Sequence, residues 1–294
     1  APTRFTITDT QGLAKFPTFT KYEKTEILTI EEAEEIFKFI KENTNIEFKY
    51  SYGGCEKRAH AISLFLNEKK VKHYKIWNFD PSLISIFNKS QEPTIFSKAG
   101  LSPTISWRYH VAILIFVKGE KEPQPFVIDP SIDDTNLLAE EKWLTLQNTP
   151  NSYYIHLDPQ WYNFATTDKY ALHCNNAPYK IPPCLKLLTG DFFLNTDISL
   201  SDMWVEEALA VNELGIKIIQ EIIDKEPSNS NKKKALIELV ENFENLTAAL
   251  KGNSTDNLSP YPGILTPYQN QFIIIRNMWK LKLDELRKNY PSGN

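Results

Sequence analysis

Only three cysteines occur in the 294 residues, Cys55, Cys174 and Cys184, and a chain of this length cannot be stapled by so few. Cys174 and Cys184 lie ten apart in a loop-like stretch and could pair, which would leave Cys55 as the free thiol. No CxxC or HxxxH pair occurs, so a structural zinc site has little support, and neither a metal nor another cofactor is expected. An excess of positive charge is also missing. The net charge of −4 and pI near 5.8 give no basic footprint of the kind that phosphate neutralisation needs, which argues against a nucleic-acid partner. Long hydrophobic runs are absent too. Nothing approaches the ~18 consecutive apolar residues of a membrane span, and the run from Val111 to Val117 is strand-sized. Ala1-Pro2-Thr3 has neither the charged nor the apolar region of an export signal, so any such signal is expected to have been removed or to lie outside this sequence.

What is present is ordinary globular material, 41% hydrophobic and 24% charged, in a chain longer than one usual domain. One catalytic domain with a smaller attachment is the expectation. Thr29-Ile30-Glu31-Glu32 reads as a capping box, and Ala33, Ile36, Phe37 and Ile40 follow at helical spacing, predicting a helix over 30–42. Gly53-Gly54 breaks the chain, and Ala59, Ile62 and Leu66 then mark the inner face of a second helix that begins at Cys55. Strands are expected over 71–79, 107–117, 126–129 and 153–157, and a helix over 135–146. The stretches 81–103 and 161–183 read as irregular. From Ser199 onward only helices are expected, over 200–223, 231–250 and 267–288. The implied class is α+β: a Cys-bearing helix on a mainly antiparallel sheet, followed by an all-α extension. The expected division is an N-terminal arm over 1–28, a catalytic domain over 29–197 and a helical domain over 198–294.

A helix N-terminus lowers a thiol pKa through unpaired N–H groups and the positive end of the dipole, and Cys55 has that setting. A small buried core cysteine is the plainer alternative, so a partner base is required. His110 and Asp129 lie on the two strands of a hairpin. Their indices centre between 119 and 120, and the polar turn 118–123 centres near 120.5, so the two should be opposite or one to two positions off. A carboxylate there can orient the imidazole and set its tautomer. The alternative is a buried histidine satisfied by an acidic neighbour. Among the competing bases, His60 points away from the face of Cys55 and reads as a packing or capping residue. His73, His156 and His173 have no acidic partner identifiable on a facing strand.

Four blocks in order, Phe48-Lys49-Tyr50, Gly54-Cys55-Glu56-Lys57-Arg58-Ala59-His60, Trp107-Arg108-Tyr109-His110-Val111-Ala112-Ile113-Leu114 and Ile128-Asp129-Pro130-Ser131, resemble the bacterial protein-glutaminases. The resemblance implies a secreted cysteine hydrolase that converts glutamine side chains of proteins and peptides to glutamate plus ammonia. It implies Cys55, His110 and Asp129 as the triad, on a core similar to that of transglutaminases. Trp107 and Tyr109 could line the glutamine channel, or be core aromatics of the strand. The expected partners are proteins or peptides with accessible glutamine, and the C-terminal helices could contact a partner protein. Transfer of the acyl group to lysine, and a secreted effector or binding protein on the same scaffold, are the rival readings.

Overall fold

In the computed structural model, backbone and side chains are described for residues 27–79, 106–107, 109–148, 152, 154, 156, 159, 205–253 and 258–288; the backbone alone is described for 5–6, 94–95, 105, 153, 155, 157, 161–165, 191–194 and 198–204. A six-stranded sheet has the order β1 (Phe5–Thr6), β8 (Tyr153–Leu157), β2 (Tyr74–Phe79), β5 (Tyr109–Val117), β6 (Gln124–Ile128), β7 (Leu138–Ala139). The pairings between β8 and β7 are antiparallel, and β1 adds to β8 in parallel. Two two-stranded sheets, β3 (Thr94–Ile95) with β4 (Ile105–Ser106) and β9 (Trp161–Ala165) with β10 (Asp191–Leu194), fall partly in stretches expected to be irregular.

β5 is buried on both faces, and its alternation sorts the molecule into layers. Val111, Ile113, Ile115 and Val117 meet helices α1 (Ile30–Asn43) and α2 (Cys55–Glu68), while Ala112, Leu114 and Phe116 meet α3 (Glu140–Leu146). α1 starts where its sequence says it should: Thr29 Oγ1 accepts from the Glu32 N–H, and the Glu32 carboxylate accepts from the Thr29 N–H at 2.8 Å. α3 starts later than its pattern suggests. The Asp133 carboxylate accepts from the N–H groups of Thr135 and Asn136, tying that segment into a turn, and β7 forms before the helix begins.

α2 is buried almost all round. One side faces the sheet and the other meets α4 (Ile198–Glu221) and α7 (Thr266–Arg287), whose Val205, Leu209, Trp279, Leu283 and Leu286 join the same apolar cluster. The rest of the helical part closes around Tyr50, with Leu214, Leu236, Leu246 and Phe272. The expected helix over 231–250 is in fact two, α5 (Asn231–Val240) and α6 (Phe243–Leu250), because the Asn242 side chain accepts the Asn245 N–H and restarts the helix. Among the described residues no helix is long and apolar enough to cross a membrane.

Candidate active site

Cys55 opens α2, and the residue before it must be glycine. Gly54 takes φ +87°, and a Cβ there would lie 2.9 Å from Asn212 Nδ2 on α4. The Arg58 guanidinium ties the loop down, donating from Nη1 to the carbonyls of Tyr50 (3.3 Å) and Gly53 (3.0 Å) and to Asn212 Oδ1. The Cys55 thiol is buried and donates to Glu56 Oε2 at 3.4 Å. Burial first, and the Glu56 carboxylate second, push its pKa well up, while the Arg58 guanidinium and a backbone hydrogen bond from Val111 act the other way. The helix N-terminus alone therefore does not make a thiolate of it in this structure.

His110 Nε2 lies 2.7 Å from Asp129 Oδ2. The β5–β6 ladder pairs Ile113 with Ile128 and ends there, so Asp129 is not directly opposite His110. Continued, that register would bring Ser131 opposite, which makes Asp129 the diagonal neighbour two positions away on the same face. Asp129 is well supplied with donors: Trp143 Nε1 on α3 donates to Oδ2 at 2.8 Å, and the Ser131 N–H and hydroxyl both donate to Oδ1. Burial raises its pKa, but His110 and these donors outweigh burial and hold the carboxyl below its ordinary value. The imidazole is stacked between two indoles, Trp107 at 4.1 Å and Trp143 at 5.6 Å between ring centroids. Its Nδ1 is buried and has no hydrogen-bond partner among the described residues.

Cys55, His110 and Asp129 all line one pocket, with Phe48, Ala59, Val111 and Ser131 among its walls. It lies where β5 and β6 part beyond Ile113 and Ile128. The thiol's partner is Glu56, and no hydrogen bond joins it to His110 among the described residues.

The other candidates are placed as follows. Trp107 stacks on His110 and donates from Nε1 to the Ser51 carbonyl at 2.9 Å, so it links the histidine to the loop before Cys55. The Tyr109 ring packs 5.8 Å from Trp77, and its hydroxyl hydrogen-bonds to Glu56. His60 is fully buried against Lys75 Nζ, 3.2 Å from its Nδ1, and His73 is bound to Ser63. His156 does have an acidic partner, Glu140, but that residue sits on α3 and not on a strand. Cys174, Cys184 and His173 lie outside the described residues. Sequence reasoning missed Trp143 and Asn212, which reach the site from distant elements and carry no local signal. It also passed over Glu56 and Ser131, which were visible in the blocks around Cys55 and Asp129.

The architecture is that of an α+β protein whose cysteine-bearing helix packs on an antiparallel sheet. Residues 33–147 match the family model described as Glutaminase. No curated protein matches the chain. Among solved structures it is similar to a crystal structure of protein-glutaminase, at 18% identity over 49% of this chain and 79% of that one, with TM-score 0.38. The NMR structure of protein-glutaminase from Chryseobacterium proteolyticum matches at 19% identity over 53% and 94%, TM-score 0.38. A crystal structure of pro-protein-glutaminase matches at 15% over 67% and 63%, TM-score 0.44.

Proposed function

We propose that this chain is a cysteine-dependent protein-glutamine deamidase with Cys55 as nucleophile, His110 as acid and base, and Asp129 as the residue that orients His110. The observation that carries the reading is the His110–Asp129 hydrogen bond in the pocket that Cys55 also lines, within the stretch that matches the glutaminase family. With Nε2 held by Asp129, the nitrogen left for the thiol proton is Nδ1, which is buried and has no partner among the described residues.

In the proposed reaction Cys55 Sγ gives its proton to His110 and attacks the glutamine Cδ. The C–S bond forms, the C–N bond breaks, and the proton leaves with the nitrogen as ammonia. Water, deprotonated by His110, then hydrolyses the thioester to glutamate and returns the proton to sulfur. The developing oxyanion is met by the N–H of Cys55, and the Val111 N–H, already directed at the sulfur, is the second donor. Trp107 and Tyr109 flank the entry for the glutamine side chain. In this reading residues 29–197 form the catalytic domain, 198–294 the helical domain that braces it, and 1–28 an arm. The protein acts outside the bacterial cell, on proteins or peptides with exposed glutamine.

The test is ammonia release from a glutamine-rich protein, with mass spectrometry for the ~1 Da gain per converted glutamine and for cross-links. The expected result is release without cross-links, lost in Cys55→Ala to nearly the uncatalysed level. Lysine cross-links would replace this reading with acyl transfer, and full activity in Cys55→Ala would end it.

A further inference from the structure

Next to the nucleophile stands an acidic residue that the reaction above does not use. Glu56 is buried, its Oε2 is 3.4 Å from Cys55 Sγ, the Tyr109 hydroxyl binds it, and Lys57 Nζ pairs with Oε1 at 2.5 Å. An ionised carboxylate offers about four acceptor sites and no donor. In the resting enzyme it binds the thiol proton, a poor arrangement for a nucleophile whose base is His110. The arrangement makes sense if something in the substrate takes the thiol's place.

Resting on the reading of Cys55 as nucleophile, we propose that Glu56 is the specificity-determining acceptor for the –NH2 of the glutamine carboxamide. To be attacked, Cδ must come to about 3–3.5 Å from the sulfur. The amide nitrogen is one bond from Cδ, and Oε2 is 3.4 Å from that sulfur, so the carboxylate borders the space around the sulfur where the amide must sit, and the proposal directs the amide N–H to it. Binding then does two things. The amide N–H occupies Glu56, and the thiol, released from it, turns its proton to His110. After hydrolysis the product is a carboxylate with no donor, facing a second carboxylate, so it is expelled and does not re-form the thioester. Lys57 keeps Glu56 charged for this purpose: burial alone would raise its pKa, yet the ammonium holds it below the ordinary value.

Glu56→Gln keeps the shape and removes the charge. It is expected to lower kcat/KM for a glutamine peptide about 10- to 100-fold, the loss of one charge-assisted hydrogen bond, while inhibition by the matching glutamate peptide tightens about 10-fold or more. A bracing role for Glu56 would weaken substrate and product together, so unchanged or weaker product inhibition overturns the proposal, as does kcat/KM within twofold of wild type. If Glu56→Gln does not fold, Glu56→Asp decides: with its charge kept but drawn back by one methylene, product inhibition should stay at the wild-type level while kcat/KM drops, and kcat/KM within twofold of wild type would overturn the idea. Wild type that releases no ammonia would instead sink the deamidase reading itself.

Discussion

Asp129 is a buried carboxylate with four hydrogen bonds around it, from His110, Trp143 and both donors of Ser131. Each fixes one direction of the group, and together they leave it little freedom to turn. Replacing it by asparagine keeps the volume but presents an amide N–H to donors that expect an acceptor. Asp129→Asn should therefore lower kcat by about 100-fold or more, the scale of general acid–base catalysis, with KM little changed, and steady-state kinetics on a glutamine peptide would show it. The pH dependence follows from the sign of the shift. The folded carboxyl titrates below its ordinary value of 3.8, so its contribution to stability is complete above 3.8 and is lost as pH falls through the depressed value. Urea titrations at descending pH should show that part of the acid loss missing in Asp129→Asn.

At the scale of elements, the α2–β2 contact is built from groups that are normally charged or readily become so. His60, His73 and Lys75 are all buried there, and burial, the largest cause for each, lowers all three pKa values; the lysine sits 3.2 Å from the His60 ring. Burial disfavours the charged form of each, and each keeps a hydrogen-bond contact, His60 with Lys75 and His73 with Ser63. For His73 the folded value is about 4 against an ordinary 6.5. Below 6.5 the unfolded chain takes up a proton that the folded chain refuses until pH 4, so stability falls across that window. Between pH 7.5 and 5 the loss from His73 alone is about 2 kcal/mol. His73→Gln should show a shallower decline of unfolding free energy over that interval; an unchanged slope would mean the ring is not neutral in the folded state. The same scale explains how the hairpin was legible. The polar turn centred at 120.5 set the β5–β6 register, and alternation then put His110 and Asp129 on one face. That the ladder stops at Ile113 and Ile128, opening the pocket, depends on the turn that follows Asp129 and on α3 below it. Neither is written into the strands.

Across the whole molecule, the helical part and the sheet part share a core. Val205, Leu209, Trp279, Leu283 and Leu286 pack on the face of α2 turned away from the sheet, and Asn212 holds the Arg58 fork that fastens the loop before Cys55. Tyr50, at the start of that loop, donates to the Val240 carbonyl at 2.7 Å. A chain ending at residue 197 would leave one side of α2 in water and take Asn212 away from Arg58. It is expected to lack a cooperative unfolding transition, and circular dichroism with thermal melting is the check; a melt equal to that of the full chain would show the helices to be dispensable.

By itself the sequence determined what nearby residues can settle: the capped start of α1, the glycine turn that ends at Cys55, the β8 boundaries, and the placing of His110 and Asp129 within two positions of each other on one side of a hairpin. Such features arise from backbone geometry and side-chain spacing within a few turns or one hairpin, and composition preserves them wherever the segment lands. Tertiary structure alone decided that the thiol is held by Glu56 instead of His110, that Trp143 and Trp107 stack on the imidazole, and that Asn212 reaches Arg58, which fastens the loop before Cys55, from 154 residues away along the chain. Those contacts depend on which layers meet, and burial then sets the charge of each group, a property of the surrounding dielectric that no short stretch of sequence carries.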